Sequence, residues 1–367
     1  MQIKSRLLKQ LDQQIAAAAA QPVLAACLKA KRAMLLARHG ALAEAREQLT
    51  ALHQLAFQHP HPEIGAWLHF AEGLMSYYTD FSSSTREKIQ RAYAIAKSAG
   101  LSEIIALASA WLAQLAYVRH ELPLMLELVR ECQQASAPEH HVARARACMS
   151  MGLAWHYAGD TGEAQRWYER ARSHALAEGD DASLSSLMFN MQAMRTAQSR
   201  RAVLSGRAEP NAELLLGLDS VHHYDAAVSS RSLPNLTPVQ RAQILVLQGQ
   251  FEAARALYEE HLPLAMSRGL ARLGSSLLAD MAWCRVNCGQ SEQALQQARE
   301  AEIELDPTCD VDDRAATHSR LCQIYEALGD GGAAQRHRDL AVQEWAEFAR
   351  QQSDWLMQLR DAALQPF

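Results

Sequence analysis

Three glycines in the second half of the chain, Gly249, Gly289 and Gly329, lie forty residues apart, and each is followed five residues later by an alanine: Ala254, Ala294 and Ala334. The relation recurs in Gly40 with Ala45 and in Gly159 with Ala164. Stepping by forty from Gly40 reaches Asp80, then His120, then, one residue early, Gly159, and forty more reaches Ser199 in QSRR. Self-similarity at a period of about 20 to 50 residues marks a repeat array, in which each unit buries its apolar face only by stacking on its neighbours. From Ser199 to Gly249 is fifty residues, ten more than the period, and the excess falls on AVLSGRAEPN at 202–211, which reads as a loop-like insertion.

Between the breakers the pattern is helical. Leu7, Leu8, Leu11 and Ile15 form an apolar stripe at helix spacing, similar stripes continue to Leu359, and strand-like alternation bounded by turn signals is missing. Turn signals such as RHG at 38–40, HPHPE at 59–63, AGDTG at 158–162 and LGDGG at 328–332 separate segments of helix length. Short turns between such segments favour antiparallel helix pairs. The small residues seven before each turn, Gly73, Ala113, Gly152, Ala193, Ala242, Ala282 and Cys322, fit a first helix approaching its partner closely, and the alanine after the turn does the same from the second helix. The expected fold class is all-α: a right-handed α-solenoid of about eight stacked antiparallel helix pairs. An N-terminal helix or cap occupies 1–21, the array 22–348, and a C-terminal capping helix and tail 349–367.

The stretch MGLAWHYAGDTGEAQRWYERA, 151–171, carries a family pattern. Gly152, Trp155, Gly159, Ala164, Tyr168 and Ala171 stand in the order and spacing of a tetratricopeptide repeat, which the chain resembles. Weaker copies follow at 235–268, 275–307 and 315–345, with Ala301 and Pro307, or Tyr325 and Ala341, in family places. Earlier copies are degenerate: Asp80 and His120 replace the turn glycine, Thr85 and Met125 the alanine, and His261 stands for an alanine in the 235 copy. The forty-residue period is similar to a long-helix subtype found in bacterial signalling and transcription-regulator proteins. The resemblance implies a superhelix whose concave face binds an extended peptide or a partner helix.

Phase read from the turns assigns to that face Trp67, Phe70, Tyr77 and Tyr78; Gln114 and Tyr117; Arg146, Met149, His156 and Tyr157; Asn190 and Met194; Gln243; Trp283 and Asn287; and Gln323. Aromatics mixed with amide and hydroxyl groups have the makeup of a protein-binding patch. His156 and Tyr157 are the two residues in 151–171 that the repeat does not require.

Motifs for chemistry are missing. The chain has no phosphate-binding, dinucleotide, nucleophile-elbow or metalloprotease signature. The acidic run DPTCDVDDR at 306–314 lacks the glycine and closing glutamate of a calcium loop and reads as loop and helix N-cap. His53, His59 and His61 near one proline-rich turn do not converge as zinc ligands need to, and Cys284 with Cys288 reads as packing. The expectation is therefore no enzyme, no cofactor and no metal. The 36 basic residues are scattered and the net charge is −5, which disfavours a nucleic-acid partner. Seven separated cysteines read as reduced core thiols of a cytoplasmic protein, and the alanine run after Ile15 is too weakly apolar for export or for a membrane.

The expected function is a scaffold for a protein or peptide segment. The alternative is a sensory or regulatory module of a bacterial signalling system, read out by a separate or lost output domain such as a diguanylate cyclase or transcription regulator. The segment 342–367, with Trp345, Phe348, Trp355 and Leu359, reads as a cap on the last repeat, or as a helix that pairs two copies.

Overall fold

The forty-residue register sets the backbone before it sets any site. Gly249, Gly289 and Gly329 adopt the left-handed conformation at φ 73°, 74° and 82°, which lets each first helix end in one residue. The N–H of the next residue then donates back to the carbonyl five positions earlier: Gln250 to Leu245, Gln290 to Arg285 and Asp330 to Tyr325, each at 2.9 Å. The same closure joins Glu121 to Ala116 at 2.9 Å, although His120 stands in place of glycine and carries φ 57°. The degenerate repeat keeps the turn and accepts a strained residue in it.

The computed structural model describes residues 3–80, 84–206, 213–229, 236–270 and 273–367. Among these the regular structure is helical: α1 Arg6–Ala17, α2 Pro22–Arg38, α3 Leu42–Gln58, α4 Pro62–Asp80, α5 Ser84–Ala99, α6 Ser102–Val118, α7 Leu122–Ala135, α8 His141–Tyr157, α9 Thr161–Glu178, α10 Asp181–Leu204, α11 Leu214–Val228, α12 Leu236–Leu247, α13 Phe251–Ala265, α14 Gly274–Asn287, α15 Ser291–Ile303, α16 Val311–Ala327 and α17 Gly331–Ala362. A π-helical stretch, Met266–Leu270, follows α13, whose Pro263 cannot donate to the helix ladder. Sequence neighbours pack as pairs, α2 on α3, α4 on α5, α6 on α7, α8 on α9, α12 on α13 and α14 on α15. First helices also pack on the next first helix, α2 on α4, α6 on α8, α12 on α14 and α14 on α16, as in an α-solenoid.

Two compact units result: Met1–Asn190 with His223–Ser232 and Trp355–Phe367, and Met191–His222 with Leu233–Asp354. The expected array at 22–348 thus contributes to both units. The expected boundary after 348 falls inside α17, which is continuous from Gly331 to Ala362. The insertion at 202–211 begins as helix, since α10 runs to Leu204, and its remainder from 207 lies outside the described residues.

Small residues perform the expected packing. Ala45, Ala254 and Ala294 are fully buried, and Ala164 and Ala334 nearly so. A Cβ at Gly152 would stand 2.5 Å from the Tyr168 ring, and one at Gly73 would stand 2.7 Å from Ile89 Cγ1. The missing side chain is what allows α8 to lie against α9. Gly65, in α4, has nothing within 4 Å of where its Cβ would be. Overpacking costs about 1–3 kcal/mol, whereas removing an unneeded helical glycine gains up to about 1 kcal/mol. Urea denaturation should therefore show Gly152→Ala less stable than wild type and Gly65→Ala equal or more stable.

Candidate functional site

The first helices of the first unit carry most of the residues assigned to a binding face, and the structure places many of them in the interior. Trp67, Phe70, Gln114, Arg146, Met149, His156 and Tyr157 are buried, while Tyr77, Tyr78, Tyr117 and Asn190 are half-buried. The side chains engage one another. Lys31 lies over the Trp67 ring, which meets Phe70 edge-on at 6.3 Å. Tyr77 and Tyr78 stand edge-on to Trp111, and the Arg146 guanidinium caps that ring at 4.0 Å. Ser150 Oγ donates to Gln114 Oε1, and Asn190 Nδ2 lies 3.5 Å from Met149 Sδ.

A buried ion pair closes this interior. Arg38, the last residue of α2, reaches Asp180, just before α10, at 2.9 Å, and also donates to Ser183 Oγ at 2.6 Å. Ser183 donates to Asp180 through its own N–H and hydroxyl. Burial works against both charges. Asp180 and Tyr78 outweigh it at Arg38, whose pKa is raised, and Arg38 with Ser183 outweighs it at Asp180, whose carboxyl is held below the ordinary value. Arg146 has no carboxylate partner among the described residues, and burial lowers its pKa. Four helix pairs after α2 begins, the chain has turned back far enough for its inner face to become a core rather than an open groove.

In the second unit the assigned residues are less enclosed. Met194, Gln243, Trp283 and Gln323 are half-buried and Asn287 is exposed. Trp283 meets Phe251 at 6.3 Å and lies under Arg320, which donates to Gln323 Oε1, and Asn287 Nδ2 bonds the Trp283 carbonyl. Arg320 also pairs with Asp280 at 2.9 Å, and Asp280 with Arg200 at 3.0 Å. Arg200, Gln240, Asp280 and Arg320 stand forty residues apart, and all four are buried. The forty-residue spacing of these four is legible in the sequence, although no local motif marks it. The acidic run joins it: Asp313 lies 3.8 Å from Arg200, and Asp312 pairs with Arg201 at 3.0 Å.

The most developed binding geometry lies in the first unit. Trp355, 4% exposed, sits in an aromatic socket whose ring centroids are 4.7 Å (Tyr157), 5.6 Å (His120) and 6.0 Å (Tyr117) away. Leu359, one helical turn on, is 1% exposed. Arg360 reaches Asp160 at 3.6 Å. Past the end of α17, Gln133 donates to the Gln365 carbonyl at 2.7 Å and Arg130 to that of Ala362 at 3.4 Å, both from α7. Phe367 ends against His174 and beneath Arg144, 5.2 Å from its guanidinium. Tyr117 and Tyr157 come from the assigned face; His120, Arg130, Gln133 and Arg144 do not. His120 is the residue that departs from the glycine pattern, and that departure was the available signal.

All seven cysteines are free thiols, six of them buried. Among the described residues no three His, Cys, Asp or Glu side chains are grouped to hold a metal, and no helix is long and apolar enough to cross a membrane. The fold and site define an all-α protein of sequentially packed helices, compatible with a helical repeat protein. No family model matches the chain, and no curated protein matches it.

Two measurements test this interior. Removing one partner of a buried pair costs about 3–5 kcal/mol, whereas replacing both by apolar groups is often neutral. Asp180→Ala should lower unfolding free energy by about that amount, and Arg38→Met with Asp180→Leu should recover most of it. His39, beside the pair, is buried, and burial followed by Arg38 lowers its pKa from 6.5 to about 4. The unfolded state therefore takes up this proton first, and stability is lost as pH falls from about 6.5 towards 4. The drop in Tm between pH 7 and pH 5 should be smaller in His39→Gln than in wild type.

Proposed function

We propose that the protein is a non-enzymatic, tetratricopeptide-like scaffold that holds a segment of another protein on the face formed by α6 to α9. One observation carries the reading: this face already holds a peptide segment, Trp355–Phe367, by anchors and main-chain contacts of the kind that hold a ligand. A helix laid into a groove binds through apolar side chains at i and i+4, and Trp355 with Leu359 has that spacing. The socket for the larger anchor is built from rings on two helices and a turn. Rigid aromatic pockets are where binding energy concentrates.

The turn glycines, the alanine after each turn and the 151–171 pattern support the tetratricopeptide comparison. They account for packing alone and leave specificity to residues such as Tyr117, His120 and Tyr157. The scaffold reading therefore places recognition at the hairpin ends of α6 and α8 and along α7, more than along the buried inner helix faces.

Selection of displayed 16-residue peptides on the full chain carrying Trp355→Ala tests the reading. Enriched peptides should share an aromatic residue and an aliphatic one four positions on. Adding Tyr157→Ala to that chain, with helical circular dichroism unchanged, should weaken them about tenfold or more, as loss of an interface hot spot does. No enrichment over an unrelated helical protein would contradict the function.

A further inference from the structure

We propose that Trp355–Phe367 is a resident competitor: a partner binds α6 to α9 only by displacing it, and the partner is an amphipathic helix with an aromatic-x-x-x-leucine anchor pair. This rests on reading that face as a peptide site, and it adds what the partner must look like and what controls its access.

The segment divides into two parts held in different ways. Trp355 and Leu359 are buried, but Met357 between them is 57% exposed, so only one stripe of the helix is used. Beyond Leu359 the polar contacts are rim contacts, and half-buried Phe367 adds a ring contact to His174 and Arg144. Arg360 and Arg130 are exposed, Gln365 is exposed, and the Arg360–Asp160 pair stands at 3.6 Å with the arginine 63% exposed. Exposed pairs of this kind contribute little. Seating therefore rests chiefly on the two buried side chains, Trp355 and Leu359, with Phe367 as a lesser third contact, and a partner that supplies the same pair replaces most of what the segment offers.

The chain past Ala362 adds a directional constraint. Ala363 has φ 49°, a left-handed conformation costly for a residue with a Cβ, and it turns the chain from α17 towards α7. The main-chain carbonyls of Ala362 and Gln365 then accept from Arg130 and Gln133, which read no side chain. The face thus selects the anchor pair, reads main chain directly after it, and meets one further ring where Phe367 lies against His174 and Arg144. Asp160 adds a preference for a basic residue five positions past the aromatic anchor, where Arg360 now stands.

A tethered segment acts at an effective concentration of up to about millimolar, and it suppresses any external ligand by the ratio of that concentration to the segment's own intrinsic Kd, about a hundredfold for a segment that binds at about 10 μM. Weakening the tether's anchor exposes the site without altering it.

The test uses the full chain and a fluorescein-labelled synthetic peptide of sequence WLMQLRDAALQPF, read by anisotropy. Trp355→Ala should bind the peptide at least tenfold more tightly than wild type. Arg360→Glu, which alters only an exposed side chain and turns its attraction to Asp160 into repulsion, should tighten binding several-fold and guards against a folding defect in the first variant. Binding by Trp355→Ala should be lost on adding Tyr157→Ala. Equal affinity for wild type, Trp355→Ala and Arg360→Glu would overturn the competitor while leaving a peptide site in place. No binding to any of them, with helical content and Tm retained, would overturn the peptide site and the competitor together.

Discussion

Everything in this molecule depends on how closely the two helices of a pair approach. That distance is set by an absent side chain: Gly152 meets the Tyr168 ring and Gly73 meets Ile89 where a Cβ has no room. Buried alanines at Ala45, Ala254 and Ala294 extend the same constraint along the chain. Close pairs then stack first helix on first helix, as α6 does on α8 and α14 on α16. Residues at one repeat position are thereby brought together across forty residues of sequence. Packing of this kind is not continuously deformable, so each pair presents its turn and its inner face in a fixed place.

Polar groups then give the inner faces a register. The Arg38–Asp180 pair in the first unit and the Arg200–Asp280–Arg320 ladder in the second are buried and hydrogen-bonded, and each joins helices far apart in sequence. Such pairs add little net stability compared with apolar groups of the same shape, but a misregistered stack would leave charges unpaired, which is far worse. They discriminate one stacking from its neighbours. Arg146 is the exception, a buried cation met by the Trp111 face instead of a carboxylate.

The sequence made the repeat legible because backbone constraints at turns tolerate few residue types. The forty-residue spacing located the glycine turns, and the alanines located the close helix contacts. The binding face was less legible. Phase grouped Trp67, Phe70 and Arg146 on one helix face, and the structure buries all three; whether such a face is open depends on how far the stack curves. Curvature comes from small rotations summed over several pairs, with Arg38 meeting Asp180 across a sequence separation of 142. No local pattern encodes that sum. The seat of Trp355 was illegible for the same reason: its partners Tyr117, His120 and Tyr157 lie some two hundred residues or more away, and pairing at that range leaves no periodicity to read.

The segment Trp355–Phe367 of the chain itself fills the face of α6 to α9. Native-state hydrogen exchange across Trp355–Ala362 in the wild-type chain measures this directly. Seated as described, these amides exchange slowly, and Trp355→Ala accelerates them while leaving α8 protected. Exchange at the rate of an unstructured peptide in the wild-type chain, with α8 still protected, would contradict it.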